Sequence, residues 1–312
     1  MKILVTGGSG FLGRQISEIA EREDYQVFSP RSTEMNLLNL EQATSYLDKV
    51  VESHGALDAI VHSAAYYGGI GIIEAEPATV FHRNSQMGLN VFELARRFKV
   101  RKVVAVGSAC AYPGYLQGDL KEEKFWDGPL HASVEAYGFT KKLLLVAQHA
   151  YYKQFEIESN HLALTNLYGP HDVFTEYRSH VLSALIKKFT DSKDKVLLWG
   201  DGSPIREFLY VRDAAEAIVK AIALPHDPEP INIGTGVGTS IKTLAEMIAR
   251  LTEFKGIIEW DTSKPNGAER KVLDIHRMRE KLEWYPERDL EEGLRETIDW
   301  YIPNKEKADL RR

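Results

Sequence analysis

Short apolar runs alternate with longer amphipathic segments along the first half of the chain. Patterns typical of buried strands lie at residues 2–6, 25–29, 58–62, 103–106 and 159–166. Helical periodicity follows at residues 14–22, at 79–98 and after residue 137. Because strands and helices alternate, the pattern predicts an α/β protein built on a doubly wound parallel sheet.

The alternation becomes irregular after residue 166. Helical patterns remain at residues 181–190, at 240–251 and at 290–301. We therefore expect residues 1–166 to form one domain and residues 167–312 to form mainly a smaller C-terminal lobe that binds substrate. A segment at about 196–224 is expected to return to the first domain.

Composition limits the kind of protein this is. Its 312 residues are 44% hydrophobic and 27% charged, which is ordinary for a globular protein. A net charge of −6 offers no general attraction to nucleic acid or anionic lipid. The first apolar run is too short for a signal peptide, no stretch has the length of a membrane span, and the chain has one cysteine. We expect a cytoplasmic protein without nucleic acid, membrane or metal partners.

A glycine-rich turn follows the first predicted strand. Gly7, Gly10 and Gly13 are spaced by three, and Phe11 and Leu12 open the helix that comes next. Glycines at this spacing let the backbone turn tightly and approach a pyrophosphate, which the helix N-terminus attracts. A purely structural turn is the alternative, but the position between a strand and a helix favours dinucleotide binding in a Rossmann-like sheet.

The ends of the second and third predicted strands bear on which dinucleotide is bound. Arg31 and Ser32 follow the second strand, where NAD-binding proteins carry an acidic residue and an arginine favours the 2′-phosphate of NADP. The alternative is a solvated loop arginine. Ala64 and Ala65 follow the third strand, and their small side chains would let a nicotinamide nucleotide lie close to the backbone. We therefore expect NADP(H) as cofactor.

Candidate acid/base residues follow the fourth predicted strand. Ser108 lies at the strand's carboxyl end, and Tyr137 and Lys141 share one face of the next helix. An ammonium near a phenol is expected to lower the phenol's pKa, which would let the tyrosine exchange a proton with a carbonyl or alcohol. This spacing also arises by chance, at Tyr301 and Lys305, but there we expect Pro303 to disrupt the helix.

Several later segments carry aromatic and basic residues that suit a nucleotide. Trp199 precedes a loop rich in glycine and proline that leads to Arg206, and a basic loop around residues 264–271 follows. An aromatic ring can stack on a base and an arginine can clamp a diphosphate. His180 heads a helix, for which a simple role as helix-start residue is the alternative.

Together these residues resemble the extended short-chain dehydrogenase/reductase superfamily, and within it the GDP-L-fucose synthase family. The resemblance extends over nearly the whole chain. It is carried by residues 107–113, 166–172, 179–181, 199–200, 206–208, 231–236 and 264–267.

The resemblance implies an NADPH-dependent enzyme that epimerises and reduces GDP-4-keto-6-deoxymannose to GDP-L-fucose or a close relative, as a homodimer. It implies a catalytic set of Ser108, Cys110, Tyr137, Lys141 and His180, with Cys110 and His180 as the epimerisation pair. The cofactor-binding set is Gly7, Gly10, Phe11, Leu12, Gly13, Arg31, Ser32, Ala64, Ala65, Val106, Tyr137, Lys141, Leu164, Asn166, Leu167 and His180. The substrate-binding set is Asn166, Lys188, Trp199, Arg206, Asn266 and Lys271.

Four positions depart from the pattern of that family, namely Ser9, Ala109, Lys188 and Asn266. They keep open a C4-reductase of a GDP-4-keto heptose or dideoxy sugar, with or without epimerisation at C3 and C5. A 4-epimerase or 4,6-dehydratase with bound NAD would want an acidic residue near the end of the second strand. A regulator that only binds NADP should lack the Ser108, Tyr137 and Lys141 set.

Overall fold

A computed structural model describes residues 1–116, 118–175, 178–264 and 266–310. The strands in chain order are β1 (Lys2–Thr6), β2 (Gln26–Phe28), β3 (Ala59–His62), β4 (Lys102–Val106), β5 (Asp119–Leu120), β6 (Glu158–Leu164), β7 (Asn166–Tyr168), β8 (Lys195–Trp199), β9 (Ile205–Tyr210), β10 (Ile231–Ile233), β11 (Gly238–Ser240), β12 (Ile257–Asp261) and β13 (Arg270–Leu273). The helices are α1 (Phe11–Arg22), α2 (Leu40–His54), α3 (Ile70–Ala75), α4 (Pro77–Arg97), α5 (Glu135–Phe155), α6 (Val181–Asp191), α7 (Val211–Lys220), α8 (Ile241–Leu251), α9 (His276–Leu282) and α10 (Leu290–Ala308).

The central sheet is parallel throughout, and its described strands run in the order β10, β6, β4, β3, β1, β2. The winding direction reverses between β1 and β3, so loops at the carboxyl ends of these strands diverge and leave a crevice. The doubly wound, Rossmann-like α/β fold predicted from the alternation of elements is confirmed.

Helices cover both faces of this sheet because its strands are apolar on both sides. On one face α1 packs against α7, burying Ile16, Ala20 and Ile218 against the strands. On the other face α4 packs against α5, with Phe92 and Leu144 buried there. The sheet is therefore a rigid base for the loops at its carboxyl edge.

The C-terminal lobe is organised around β9. This strand pairs in parallel with β7 and β13 and antiparallel with β11, and β13 pairs in turn with β5. A separate parallel pair joins β8 to β12. Phe174, Leu185, Leu244 and Tyr301 lie in the apolar core of this lobe. The lobe thus places β9 and β13 side by side.

The chain crosses between the lobes more than once. Of the segment at about 196–224, β8 pairs within the C-terminal lobe, whereas α7 packs against α1 of the first domain. Strand β10 then joins the edge of the central sheet beside β6. The division at residue 166 stays a prediction, and residues 211–233 are one stretch beyond it that contacts the first domain.

Helix α10 differs from its prediction, because it continues through Pro303 to Ala308. A proline removes one backbone hydrogen bond, and packing of the helix against its own lobe outweighs that loss. Tyr301 donates to Asp309, and Lys305 pairs with Asp191, so both side chains have structural partners. The expected break at Pro303 is wrong.

None of the described helices is long and apolar enough to cross a membrane.

Candidate active site

The glycine-rich turn joins β1 to α1 as a tight bend. Gly7 has a φ of +74°, and the Gly10 N–H donates to its carbonyl over 2.8 Å. A Cβ at Gly13 would lie 2.1 Å from the Gly7 oxygen, and one at Gly7 would lie 2.8 Å from the Cα of Ala64. These contacts leave room only for glycine.

The start of α1 fits an anion. Gly10 is the N-cap, so no side chain satisfies the first amides of the helix, and the first turn holds no acidic residue. Phe11 and Leu12 form that first turn. Unpaired amides at the positive end of a helix are suited to the pyrophosphate of a dinucleotide.

Arg31 and Ser32 lie exposed just beyond β2, which pairs with β1. Their guanidinium and hydroxyl groups are thus available to a phosphate next to the glycine-rich turn. The Glu34 carboxylate also lies here, and it accepts from the Arg31 backbone N–H over 2.8 Å. Sequence reasoning missed Glu34, although the spacing of three residues was visible.

The carboxyl end of β3 lies beside the same turn. Ser63 donates to the Thr6 carbonyl over 2.7 Å, and the Ala64 N–H donates to the Thr6 hydroxyl over 3.3 Å. These bonds hold Ala64 and its exposed neighbour Ala65 against the glycine-rich turn. The turn and the third strand therefore form one continuous backbone surface.

Ser108, Tyr137 and Lys141 meet beyond β4. Helix α5 packs closely on the turn after this strand, since a Cβ at Gly138 would lie 2.5 Å from the Cys110 carbonyl oxygen. The Lys141 ammonium donates to the Val106 carbonyl over 2.8 Å and lies 5.4 Å from the Tyr137 ring centre. Tyr137 and Lys141 are both buried.

The electrostatics of this group differ from the expectation. Burial raises the pKa of Tyr137, which a hydrogen bond with Ser108 opposes, and burial lowers the pKa of Lys141 to about 8. Desolvation disfavours the charged form of each group. The expected lowering of the Tyr137 pKa is therefore wrong for this structure.

Cys110 and His180 border the same group of side chains. Cys110 is half-buried in the turn after β4, where its backbone N–H donates to the Ser108 hydroxyl over 3.1 Å. His180 is the N-cap residue of α6. The ring of Tyr67 stacks on both His180 and Tyr137, with centroids 5.0 and 4.4 Å away.

The predicted substrate residues of the C-terminal lobe also come together. Arg206 on β9 is aligned with Lys271 on β13, and Asn266 accepts from the Asp201 N–H over 3.0 Å. Trp199, at the end of β8, is 66% exposed, and the Lys264 ammonium lies 5.8 Å from its ring centre. Lys188 on α6 donates to the Leu197 carbonyl of β8 over 3.2 Å.

Leu164, Asn166 and Leu167 join the two regions. Leu164 ends β6 of the central sheet, and Asn166 begins β7 and donates to the Glu207 carbonyl over 2.9 Å. Leu167 packs against the apolar core of the first domain. These residues lie where the chain passes from one lobe to the other.

Sequence comparison identifies the family. Residues 3–234 match the family described as the NAD dependent epimerase/dehydratase family. The chain belongs to this family.

Relatives within the family are similar over their whole lengths. The GDP-L-fucose synthase of Escherichia coli strain K12 is 32% identical, with 98% of each chain covered. The GDP-L-colitose synthase of Yersinia pseudotuberculosis is also 32% identical, with 98% of this chain and 99% of that protein covered. A crystal structure of a GDP-L-fucose synthetase from Naegleria fowleri bound to NADP is 26% identical, with a TM-score of 0.89, covering 99% of this chain and 94% of that one.

The family's site in this chain contains residues that sequence reasoning did not single out. Tyr67 follows the small residues after β3 and lies between two predicted catalytic side chains. Burial lowers the pKa of His180, and the nearby buried Asp172 carboxylate opposes this lowering. In the sequence, the only sign of Tyr67 is its position between a turn of small residues and two glycines. That signal was too weak to assign the residue a role.

Proposed function

We propose that this chain is an NADPH-dependent epimerase/reductase that converts GDP-4-keto-6-deoxymannose to GDP-L-fucose or a close relative. The observation that carries the proposal is the meeting of Ser108, Tyr137 and Lys141 with Cys110 and His180 at one edge of the sheet. Full-length similarity to a GDP-L-fucose synthase and a GDP-L-colitose synthase supports it.

The glycine-rich turn and the residues after β2 hold the cofactor. The amides at the start of α1 bind its pyrophosphate, and Arg31 and Ser32 bind the 2′-phosphate. NADPH, when bound, supplies hydride. The NADP-bound structure of a relative from Naegleria fowleri supports this choice of cofactor.

Reduction depends on proton donation by Tyr137. Its phenol donates a proton to the C4 oxygen as the ketone becomes an alcohol, and the Ser108 hydroxyl stabilises charge on that oxygen. A raised pKa keeps the phenol protonated before the reaction. Lys141, fixed by the Val106 carbonyl, orients the tyrosine and balances charge after its proton leaves.

Epimerisation uses the same ketone. The C4 carbonyl acidifies the hydrogens on C3 and C5, so a base can remove one as a proton and leave an enolate. The Cys110 thiolate takes the proton, and His180 returns one to the opposite face of that carbon. Ser108 and Tyr137 stabilise the enolate oxygen.

The C-terminal lobe binds the GDP group. Trp199 offers an exposed ring for the guanine, and Arg206 and Lys271 lie on adjacent strands with positive charge for the diphosphate. The remaining contacts with the substrate come from Asn266, Lys188 and Asn166.

Two further features belong to the proposal. The enzyme is a homodimer that joins through α4 and α5, whose outer faces expose Phe81, Leu89, Phe139 and Val146. It acts in the cytoplasm, where a chain with one cysteine needs no disulfide.

The test uses a panel of GDP-4-keto sugars with NADPH in D2O. Proton removal next to a ketone is reversible, so the product of the 6-deoxymannose substrate should carry solvent deuterium at C3 and C5, as read by mass spectrometry and NMR. Cys110→Ala and His180→Ala should lose deuterium uptake, and Tyr137→Phe should lose reduction while still binding NADPH.

Two results would change the assignment. Product without solvent deuterium at either carbon points to a C4-reductase without epimerisation. Faster turnover of a GDP-4-keto heptose or dideoxy sugar points to one of these as substrate. Near-native reduction by Tyr137→Phe contradicts the role of that residue as proton donor.

A further inference from the structure

Three aromatic rings form a stack inside the site. Tyr67 lies between Tyr137 and His180, with centroid distances of 4.4 and 5.0 Å and interplanar angles of 24° and 30°. Separations of this size are those of rings in contact, so nothing else fits between either pair. The proton donor and the epimerisation residue are therefore kept apart by one phenol ring.

Backbone contacts fix the middle ring of this stack. The Arg178 guanidinium donates to the Tyr67 carbonyl over 3.1 Å, and the Gly69 N–H donates to the Arg178 carbonyl over 2.8 Å. A Cβ at Gly69 would lie 2.4 Å from the Ser179 carbonyl oxygen. The segment that carries Tyr67 is thus bound directly to the residues that precede His180.

The cluster around Tyr67 is apolar on one side. Tyr67 and Cys110 pack with Tyr137 against the buried side chains of Ile72, Ile73 and Val134. The acidic group near His180 is Asp172, which accepts from Ser183 and from the Val173 N–H. Removing the Tyr67 ring would admit water or let the imidazole move toward Tyr137.

The proposed reaction requires these two groups to act on different atoms of the sugar. Tyr137 serves the oxygen on C4, whereas His180 serves a neighbouring carbon. An imidazole in direct contact with the phenol would compete for the same proton. Resting on the proposed function, we propose that Tyr67 is a positioning residue that separates His180 from Tyr137 and so permits epimerisation alongside reduction.

The chain offers a matched control in the preceding residue. Tyr66 is also half-buried, but its hydroxyl donates to Glu76 over 2.8 Å and its ring lies 4.7 Å from the Arg83 guanidinium. Tyr66→Leu removes a phenol of the same size that is not one of the three stacked rings, although that ring borders the same apolar cluster and lies 5.9 Å from the Arg178 guanidinium. Tyr67→Phe keeps the ring and removes only the hydroxyl.

The first measurement needs no substrate. The imidazole signals are titrated by NMR, and that of His180 is identified by its loss in His180→Gln. Burial lowers the pKa of His180 below its ordinary value of 6.5. The pKa should rise toward that value in Tyr67→Leu and stay low in Tyr67→Phe and Tyr66→Leu. Tyr67→Met replaces Tyr67→Leu if the latter does not fold.

The second measurement compares epimerisation with reduction. In D2O, Tyr67→Leu should lose deuterium uptake at C3 and C5 relative to NADPH oxidation by roughly tenfold to a hundredfold, the effect of a displacement near 1 Å. Tyr67→Phe should recover most of this uptake, and Tyr66→Leu should match the unmodified chain.

The outcomes separate the two proposals. An unchanged His180 titration and unchanged deuterium uptake in Tyr67→Leu would overturn the role of Tyr67, as would equal effects in Tyr66→Leu. If the unmodified chain turns over no GDP-4-keto sugar, the proposed function is wrong, and the NMR titration still decides whether Tyr67 separates the two groups.

Discussion

Two buried histidines near the site differ in how their ring nitrogens are satisfied. His62 on β3 is hydrogen-bonded to the Thr6 hydroxyl over 2.9 Å through one of its ring nitrogens. His161 on β6 is fully buried, and neither of its ring nitrogens has a hydrogen-bond partner among the described residues. Burial lowers the pKa of each to about 3. His161 thus carries an uncompensated cost of burial.

We expect His161→Leu to reduce the loss of stability in acid. The folded-state pKa lies below the ordinary value of 6.5, so the unfolded chain binds the proton first as the pH falls. The free energy of unfolding therefore decreases as the pH falls from 6.5 to about 3. This residue contributes at most about 1.4 kcal/mol of that decrease per pH unit. Urea denaturation at pH 7, 5.5 and 4 should show the variant gaining stability relative to the unmodified chain as the pH falls.

The surface residue His276 supplies the control, because His276→Leu removes an exposed imidazole. The prediction would be contradicted if the free energy of unfolding of His161→Leu varied with pH as much as that of the unmodified chain.

Among the elements, the junction of β1, its turn and α1 is where we propose that the cofactor binds. The turn is fixed by close backbone contacts, whereas Arg31 and Ser32 lie beyond β2 with exposed side chains. In the proposed function, the fixed amides of the turn bind the part common to both nicotinamide dinucleotides, and the exposed side chains of Arg31 and Ser32 distinguish the 2′ group. The nearby Glu34 carboxylate repels the negative charge of a 2′-phosphate.

We expect Arg31→Ala to weaken NADPH binding by roughly tenfold to a hundredfold, the worth of a hydrogen bond between charged groups, and to affect NADH little. Calorimetric titration with both cofactors measures the difference. Arg22→Ala, an exposed arginine in the last turn of α1, should change neither affinity. An equal loss for NADPH and NADH in Arg31→Ala would refute a contact with the 2′-phosphate.

The strands of the central sheet up to β6 and the helices α1, α4 and α5 were predicted because their signals are local, whereas α2 and α3 were not predicted. The pattern for β3 began at residue 58, and the structure begins at Ala59. Pairings in the C-terminal lobe were not predictable, since β9 contacts β7, β11 and β13, which are separated in the sequence. Glu207 illustrates this, because its buried carboxylate accepts from Gly236 and Leu273 and so joins three segments.

The same distinction applies to the site. Tyr137 and Lys141 were singled out from their spacing, because a helix turn fixes which residues share a face, and Ser108 was singled out from its position at the end of a strand. The role of Tyr67 in the stack depends on contacts with Tyr137 and with His180, and no local pattern encodes these contacts. The raised pKa of Tyr137 likewise depends on burial, which spacing alone does not give.

At the scale of the whole molecule, α4 and α5 present apolar side chains outward. Leu89 is 42% exposed and Val146 is 52% exposed, although both helices bury their inner faces against the sheet. Apolar side chains on two adjoining helices favour association with a second copy of the chain.

We expect Val146→Lys to convert the proposed homodimer to a monomer, because a dimer would bury the new ammonium against apolar surface. Sedimentation equilibrium over a range of protein concentrations measures the change. The control is Ile302→Lys on α10, where a residue of 56% exposure lies away from α4 and α5. A monomeric unmodified chain, or a dimer that survives Val146→Lys, would rule out this interface.

The repeated passage of the chain between its two lobes determines how it can be divided. A fragment that ended at residue 166 would lack α7 and β10, so the apolar face of α1 would meet water and the backbone of β6 would have an open edge. The remaining fragment, residues 167–312, would lack the central sheet against which residues 211–233 pack. We therefore expect neither half to fold on its own, so that a gene split at residue 166 would not give two independently folded parts.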